Sequence, residues 1–206
     1  MDRSDALRLL RQLKGQDLRA LAERYEITVW KDGKKNKGWA GQVLERHLGL
    51  PLNSSRAPNF GSWELKVVPL MRRKDSSLRV KETMAVCMLD PVEVKKNRFE
   101  ESHLFRKLQK MIVAARIYEN QLETRSELYD VVTFDLSNHV IFDAVKLDYE
   151  NVRSVLQEQG FAALSGRMGR LIQPRTKGPG HGSTSRAFYA RTRFVAYILR
   201  LSSSPF

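Results

Sequence analysis

Glu64 and Lys66 stand two residues apart in the run Trp63-Glu64-Leu65-Lys66-Val67-Val68, fed by the loop Arg56-Ala57-Pro58-Asn59-Phe60-Gly61. The run reads as a strand. Side chains alternate faces along a strand, so the carboxylate and the ammonium point the same way while Leu65 and Val67 point into a core. Held at the edge of a buried sheet, such a pair supplies what phosphodiester hydrolysis needs. An anionic oxygen holds a divalent cation, and a positive group beside it orients water and offsets charge on the phosphoryl oxygens. On an ordinary amphipathic strand the same triplet is only a solvated ion pair, so its weight depends on what surrounds it.

The surroundings are strongly basic. A chain of 206 residues is long enough for one domain with a sizeable core. Its formal charge of +13 and pI near 10.1 indicate a polyanionic partner, DNA or RNA before a membrane surface. No Asp or Glu follows Glu158, whereas Arg167, Arg170, Arg175, Lys177, Arg186, Arg191, Arg193 and Arg200 do. Cys87 is the single cysteine, which excludes an internal disulfide and a cysteine-based zinc site and suits a reducing compartment. The opening residues do not read as a signal peptide, and no apolar run is long enough to span a bilayer. The expectation is a soluble, cytoplasmic protein without a membrane partner.

The elements that must position Glu64 and Lys66 read as a mixed α/β (α+β) domain. Leu7, Leu10 and Leu13 have helical spacing, and Asp17 caps a second short helix after Gly15. Residues 1–35 are expected to form a helical lobe ending in the basic connector Lys31 to Lys37, which is either a solvated loop or a contact to a phosphate backbone. Gly38 to Gly49 reads as a helix with Val43, Leu44 and Leu48 on its buried stripe; Glu45 lies one position off it, facing a cleft or solvent. After the Glu64 strand come strands expected at Thr83 to Leu89, Leu128 to Phe134 and His139 to Val145, with an apolar segment at Met111 to Ile117. A short helix is expected at Phe99 to Lys107, another from Asp148 to Gln159, a strand at Gly169 to Pro174, and a last helix from Tyr189 to Leu201.

Taken in order, several segments resemble the MutH mismatch-repair endonuclease and the related GATC-cutting type II restriction enzymes, a family with the PD-(D/E)xK nuclease fold. The matching pieces are Asn36-Lys37-Gly38-Trp39 with Gly41 and Leu44-Glu45, Pro58-Asn59 with Glu64-Leu65-Lys66, Ser102-His103 with Lys107-Leu108, and Arg186 with Phe188-Tyr189. The resemblance implies a central mixed sheet flanked by helices and a catalytic core over residues 36–135. It implies Glu64 as the metal-binding carboxylate, Lys66 as the lysine that positions or deprotonates water, Glu45 as an additional acid and Lys107 as an accessory lysine. Mg²⁺ is the implied cofactor, a hard ion suited to oxygen ligands. The family motif begins Pro-Asp; here Asn59 follows Pro58, offering one neutral oxygen where an anionic one is expected. Either the protein works with Asn59 and leans on Glu45, or this position carries an inactivating exchange, or the register differs.

The C-terminal stretch, residues 160–206, would then read DNA. Arg175, Lys177, Arg186 and Arg191 suit phosphates or guanine edges; Tyr189 packs either in the core or against a base, and His181 either donates to DNA or is simply exposed. The leading expectation is a site-specific, Mg²⁺-dependent endonuclease of restriction type acting on double-stranded DNA, at GATC or a similar short site, as a monomer or homodimer. A mismatch-repair nickase and a catalytically silent DNA-binding module of the same fold are the alternatives.

Overall fold

The computed structural model describes residues 1–50, 61–178 and 185–206. Helix α1 (Arg3–Gln12) begins at Asp2, whose carboxylate accepts from the Ser4 N–H, and α2 (Leu18–Arg24) begins at Asp17, which accepts from the Arg19 N–H. Each cap satisfies a donor that the first turn leaves unpaired. The basic connector is a hairpin rather than a plain loop. Strands β1 (Trp30–Lys31) and β2 (Lys34–Lys35) pair across Asp32 and Gly33, whose φ values of 50° and 70° match the turn that two-residue hairpins favour. Helix α3 (Trp39–His47) buries Trp39, Ala40, Val43 and Leu44.

The main sheet has the order β4-β3-β6-β7, built from β3 (Glu64–Arg72), β4 (Leu78–Val80), β6 (Lys110–Ile117) and β7 (Leu128–Asp135). A second sheet has the order β5-β9-β8, from β5 (Met84–Met88), β8 (Ile172–Thr176) and β9 (Arg186–Ala190). Strands β3 and β6 run parallel, with Glu64 opposite Met111. The crossover between them carries β4, β5, α4 (Pro91–Lys96), a 3₁₀ turn at Phe99–Glu101 and α5 (His103–Leu108).

The main sheet is covered on both faces, as parallel pairing requires. Trp63, Leu65, Ile112 and Ala114 pack with α1, α2 and α3, while Val68, Leu70, Met111, Val113 and Ala115 pack with the second sheet, with α6 (His139–Glu158) and with α7 (Thr192–Ile198). Leu65 therefore faces a core as expected, and Val67 packs at its margin. Glu64 and Lys66 share the opposite face with Val68 and Leu70.

Three expectations fail here. His139 to Val145 is not a strand and Asp148 does not start a helix: both belong to α6, capped by Asn138, whose side chain accepts from Val140 and Ile141 N–H. Its buried positions Ile141, Val145, Tyr149, Val152 and Leu156 follow the helical period. Nor does a helix begin at Tyr189, which lies in β9; the chain turns at Arg191 into α7. The strand expected at Gly169 begins at Ile172, because Gly169 forms a left-handed turn (φ 75°). Among the described residues no helix is long and apolar enough to cross a membrane.

Candidate active site

Parallel pairing of β3 and β6 brings the first residues of both strands side by side, and α5 ends two residues before β6 starts. That arrangement delivers Lys107, the fifth residue of α5, to Glu64. The Lys107 Nζ donates to Glu64 Oε1 at 3.1 Å and to Oε2 at 3.3 Å, and the Lys66 Nζ lies 2.7 Å from Oε1. Glu64 is only 1% exposed and Lys107 is 7% exposed. A buried carboxylate persists as an anion only when compensated, and two ammonium groups from different elements supply the compensation here. Glu45 is half-buried on α3, the helix that packs on β3.

Lys66 and Lys107 open onto a cavity of about 570 Å³ between the two sheets. Val86, Cys87 and Leu89 form much of its apolar wall, and His103, Asp90 and Lys177 add polar groups. His103 precedes Lys107 by four residues, the spacing that stacks two side chains on one helix face. That spacing is visible in the sequence, where Ser102-His103 is matched together with Lys107-Leu108 and a role attaches to Lys107 alone. Cys87 retains some exposure at the cavity wall, yet burial pushes its thiol from 9.0 up to about 12, with the nearby charges of Lys66 and Lys107 acting in the opposite sense.

The second sheet carries the residues assigned to DNA. Lys177 reaches the cavity from the end of β8. Arg175 is exposed, donates to Thr83 Oγ1 at 3.0 Å and lies with its guanidinium carbon 5.8 Å from the Tyr189 ring. Phe188 takes the core position beside Tyr149, with ring centroids 5.8 Å apart, so Tyr189 points to the other face and is half-buried. Burial raises the Tyr189 hydroxyl pKa, against the lowering effect of Arg175. Arg186 sits over Phe161 at 5.5 Å. Arg191 is spent within the protein. Its Nε donates to Gly169 O at 2.9 Å, and Nη2 donates to the carbonyls of Gly166, Arg167 and Met168 at 2.9–3.1 Å. Asn59 and His181 lie outside the described residues.

The structure thus brings Glu64, Lys66 and Lys107 into contact, sets Lys177 across the same cavity, and leaves Arg175, Arg186 and Tyr189 along the second sheet. Carboxylate oxygens at Glu64 and Glu45 are the hard donors a divalent cation such as Mg²⁺ prefers. Two ammonium groups already occupy Glu64, and among the described residues no cluster of three or more His, Cys, Asp or Glu side chains is gathered for a metal.

Residues 48–139 match the family model described as "DNA mismatch repair enzyme MutH". The chain is similar to the DNA mismatch repair protein MutH of Vibrio vulnificus (strain YJ016), 27% identical over 213 residues, covering 96% of this chain and 92% of that protein. It is similar also to the protein of that name from Klebsiella pneumoniae (strain 342), 26% identical over 205 residues, covering 92% and 87%. Among solved structures it resembles the restriction endonuclease MvaI in complex with its cognate DNA, with 11% identity, a TM-score of 0.39 and coverage of 96% and 97%.

Proposed function

We propose, from the premise that this chain belongs to the family of MutH and the type II restriction endonucleases, that it is a Mg²⁺-dependent endonuclease hydrolysing phosphodiester bonds in double-stranded DNA at a short site. The observation that carries this reading is the buried Glu64 carboxylate gripped by Lys66 and Lys107, two lysines that themselves line a cavity large enough for a phosphodiester group. Glu64 and Glu45 would hold the cation, with Asn59 as a third oxygen donor; when bound, it lowers the pKa of water and neutralises charge on the phosphoryl group.

The chain's own residues account for the rest. Lys66 orients the attacking water beside the phosphorus, and Lys107, donating to both Glu64 oxygens, holds that carboxylate in place. Both ammonium groups then stabilise charge that builds on the non-bridging oxygens as the ester bond to the leaving oxygen breaks. Lys177 closes over the cavity from the second sheet and pairs with a phosphate of the bound strand. Arg175, Arg186 and Tyr189 present the DNA-facing surface.

Restriction-type cutting of both strands is the first specific reading, by a homodimer or by two successive nicks from a monomer. A repair nickase is the second, favoured by the names of the relatives, which match this chain over nearly its whole length. Cleavage of supercoiled plasmid bearing GATC sites, unmethylated, hemimethylated or fully methylated, tests both. Linear fragments requiring Mg²⁺ and abolished by EDTA support restriction; nicked circles confined to hemimethylated substrate support repair. Glu64→Gln is expected to lower the rate by at least about a hundredfold, and Asn59→Asp to raise it. No Mg²⁺-dependent cutting by either the chain or Asn59→Asp would overturn the endonuclease reading in favour of a silent binding module.

A further inference from the structure

We propose that a crevice at the far end of β3, ringed by Arg73, Arg79 and Arg193, is a second phosphate-binding site, holding the backbone of a DNA segment other than the one in the catalytic cavity. The choice of DNA as its ligand rests on the endonuclease reading above. The crevice has a volume of about 470 Å³ and lies where the turn after β3, strand β4 and helix α7 meet. Glu64 and Arg72 are the two ends of nine-residue β3. At about 3.3 Å per residue they stand roughly 26 Å apart, so a phosphate held beside Arg73 is not the scissile one.

The charge in this crevice is answered only in part. Arg73, Arg79 and Arg193 are all exposed, and among the described residues no carboxylate lines the crevice and none of the three forms an ion pair. Asp75, on the same turn as Arg73, accepts at Oδ1 from the Ser77 N–H at 3.0 Å and from the Ser77 hydroxyl at 2.7 Å; these bonds hold its carboxyl below the usual range, and the charge of Arg73 adds to that lowering. The neighbouring crevice is built differently. There Arg72 and Arg125 share the lining with Glu119 and Glu127, and Arg125 lies 3.7 Å from Glu127.

Three like charges around one hollow repel one another, which is a cost to the folded chain unless an anion enters. Guanidinium groups bind phosphate bidentately, and Thr192 lines the same hollow with a hydroxyl of its own, while the Ser202 hydroxyl donates to Ser204 O at 2.8 Å. No aromatic ring lines it to stack a base, so the match is to phosphate alone. Lys74, exposed beside Arg73, extends the positive charge beyond a single anion's reach and suits a repeating backbone.

The test uses the full chain in EDTA, saturated with an unlabelled short cognate duplex, and follows capture of a labelled random-sequence duplex by fluorescence anisotropy. The loaded chain is expected to capture the second duplex. Arg73→Gln combined with Arg79→Gln is expected to weaken that capture at least tenfold while cutting the short cognate duplex at the wild-type rate in Mg²⁺ and melting at the wild-type temperature. Replacing both by lysine, which keeps charge but loses the bidentate fork, is expected to give a smaller loss. Failure of the loaded, cutting-competent chain to capture a second duplex would overturn the proposal, as would unchanged capture by the glutamine variant. Inorganic phosphate protecting the crevice where no duplex is captured would reassign it to free anions and equally overturn the DNA site. A chain that binds no duplex even when unloaded would instead defeat the endonuclease reading itself.

Discussion

Lysines from two separate elements converge on the buried Glu64 carboxylate, and only one of them can be found by spacing. Lys66 shares a strand face with Glu64, so its contact at 2.7 Å follows from alternation alone. Lys107 is 43 residues away, and nothing in its local sequence points to Glu64; it arrives because β6 pairs in parallel with β3 and α5 stops just before β6. The resemblance to a nuclease family supplied that partner where periodicity had none to offer. Cys87 shows what the sequence left unread. As the single cysteine, set in an apolar run, it suggests no part in a site, whereas it lines the same cavity as Lys66 and Lys107. Its chemistry is nonetheless quiet, since burial lifts its pKa from 9.0 to about 12 and the thiolate is the reactive form. The native chain at neutral pH should therefore react with iodoacetamide at least about a hundredfold more slowly than the urea-unfolded chain. Because the folded pKa lies above the unfolded one, the stability this neutral thiol contributes is complete below pH 9 and is lost as pH rises toward 12. Cys87→Ala should flatten that alkaline part of the stability curve; an unchanged curve, or rapid native alkylation, would show the thiol to be solvated.

Among elements, the segment between α6 and β8 is the most tightly specified. Asp148, buried on α6, accepts from the N–H groups of Arg170, Leu171 and Ile172 at 2.7–2.8 Å, while Arg191 donates to the carbonyls of Gly166 through Gly169. One side chain takes the turn's donors and the other its acceptors, and together they fix where β8 begins and hence where Arg175 and Lys177 sit. Asp148→Asn replaces an acceptor oxygen with a donor that faces backbone N–H groups. It should cost about 2 kcal/mol or more and lower the melting temperature by roughly 5 °C or more. Gly169→Ala should cost more, because a Cβ there would lie 1.8 Å from the Ile172 carbonyl oxygen at a φ of 75°. Melting curves for the two variants check both; wild-type melting of Gly169→Ala would mean the turn relaxes without loss. The same region shows why some elements were misread. Val140-Ile141 is β-branched and suggested a strand, but Asn138 caps α6 and its buried positions recur every three or four residues through Leu156. Tertiary burial decided a local preference that was ambiguous. At β9, the pairing of Phe188 with Cys87 and Pro174 holds extended a stretch whose apolar content alone suited a helix.

For the whole molecule, composition pointed to a polyanionic partner and the order of elements to a mixed α/β fold, but neither revealed how the N-terminal helices attach. They are a layer of the main sheet rather than an appendage. Leu10, Leu18 and Leu44 share one cluster with Leu65, Ile112, Ala114 and Val131, and Arg3 pairs bidentately with Asp135 at 2.6 and 2.7 Å. Backbone bonds stitch the junction as well: Gly15 N–H to Leu128 O at 2.8 Å, Leu18 N–H to Ser126 O at 2.9 Å, and Leu128 N–H to Gln16 O at 2.9 Å. Strands β3 and β6 therefore belong to two cores at once, alternate residues of each strand facing each. Loss of either core strips one face of the same sheet, and a parallel pair exposed on one face is poorly tolerated. Unfolding of the two cores is thus coupled through shared strands, even though the chain exceeds the length below which single transitions are usual. Calorimetry should show one endotherm whose calorimetric and van't Hoff enthalpies agree, with Leu18→Ala lowering its temperature rather than splitting it. Two separated endotherms, the lower one carrying the loss in Leu18→Ala, would instead make the helical layer an independently melting unit and would detach the position of Glu45 on α3 from the stability of the Glu64 strand.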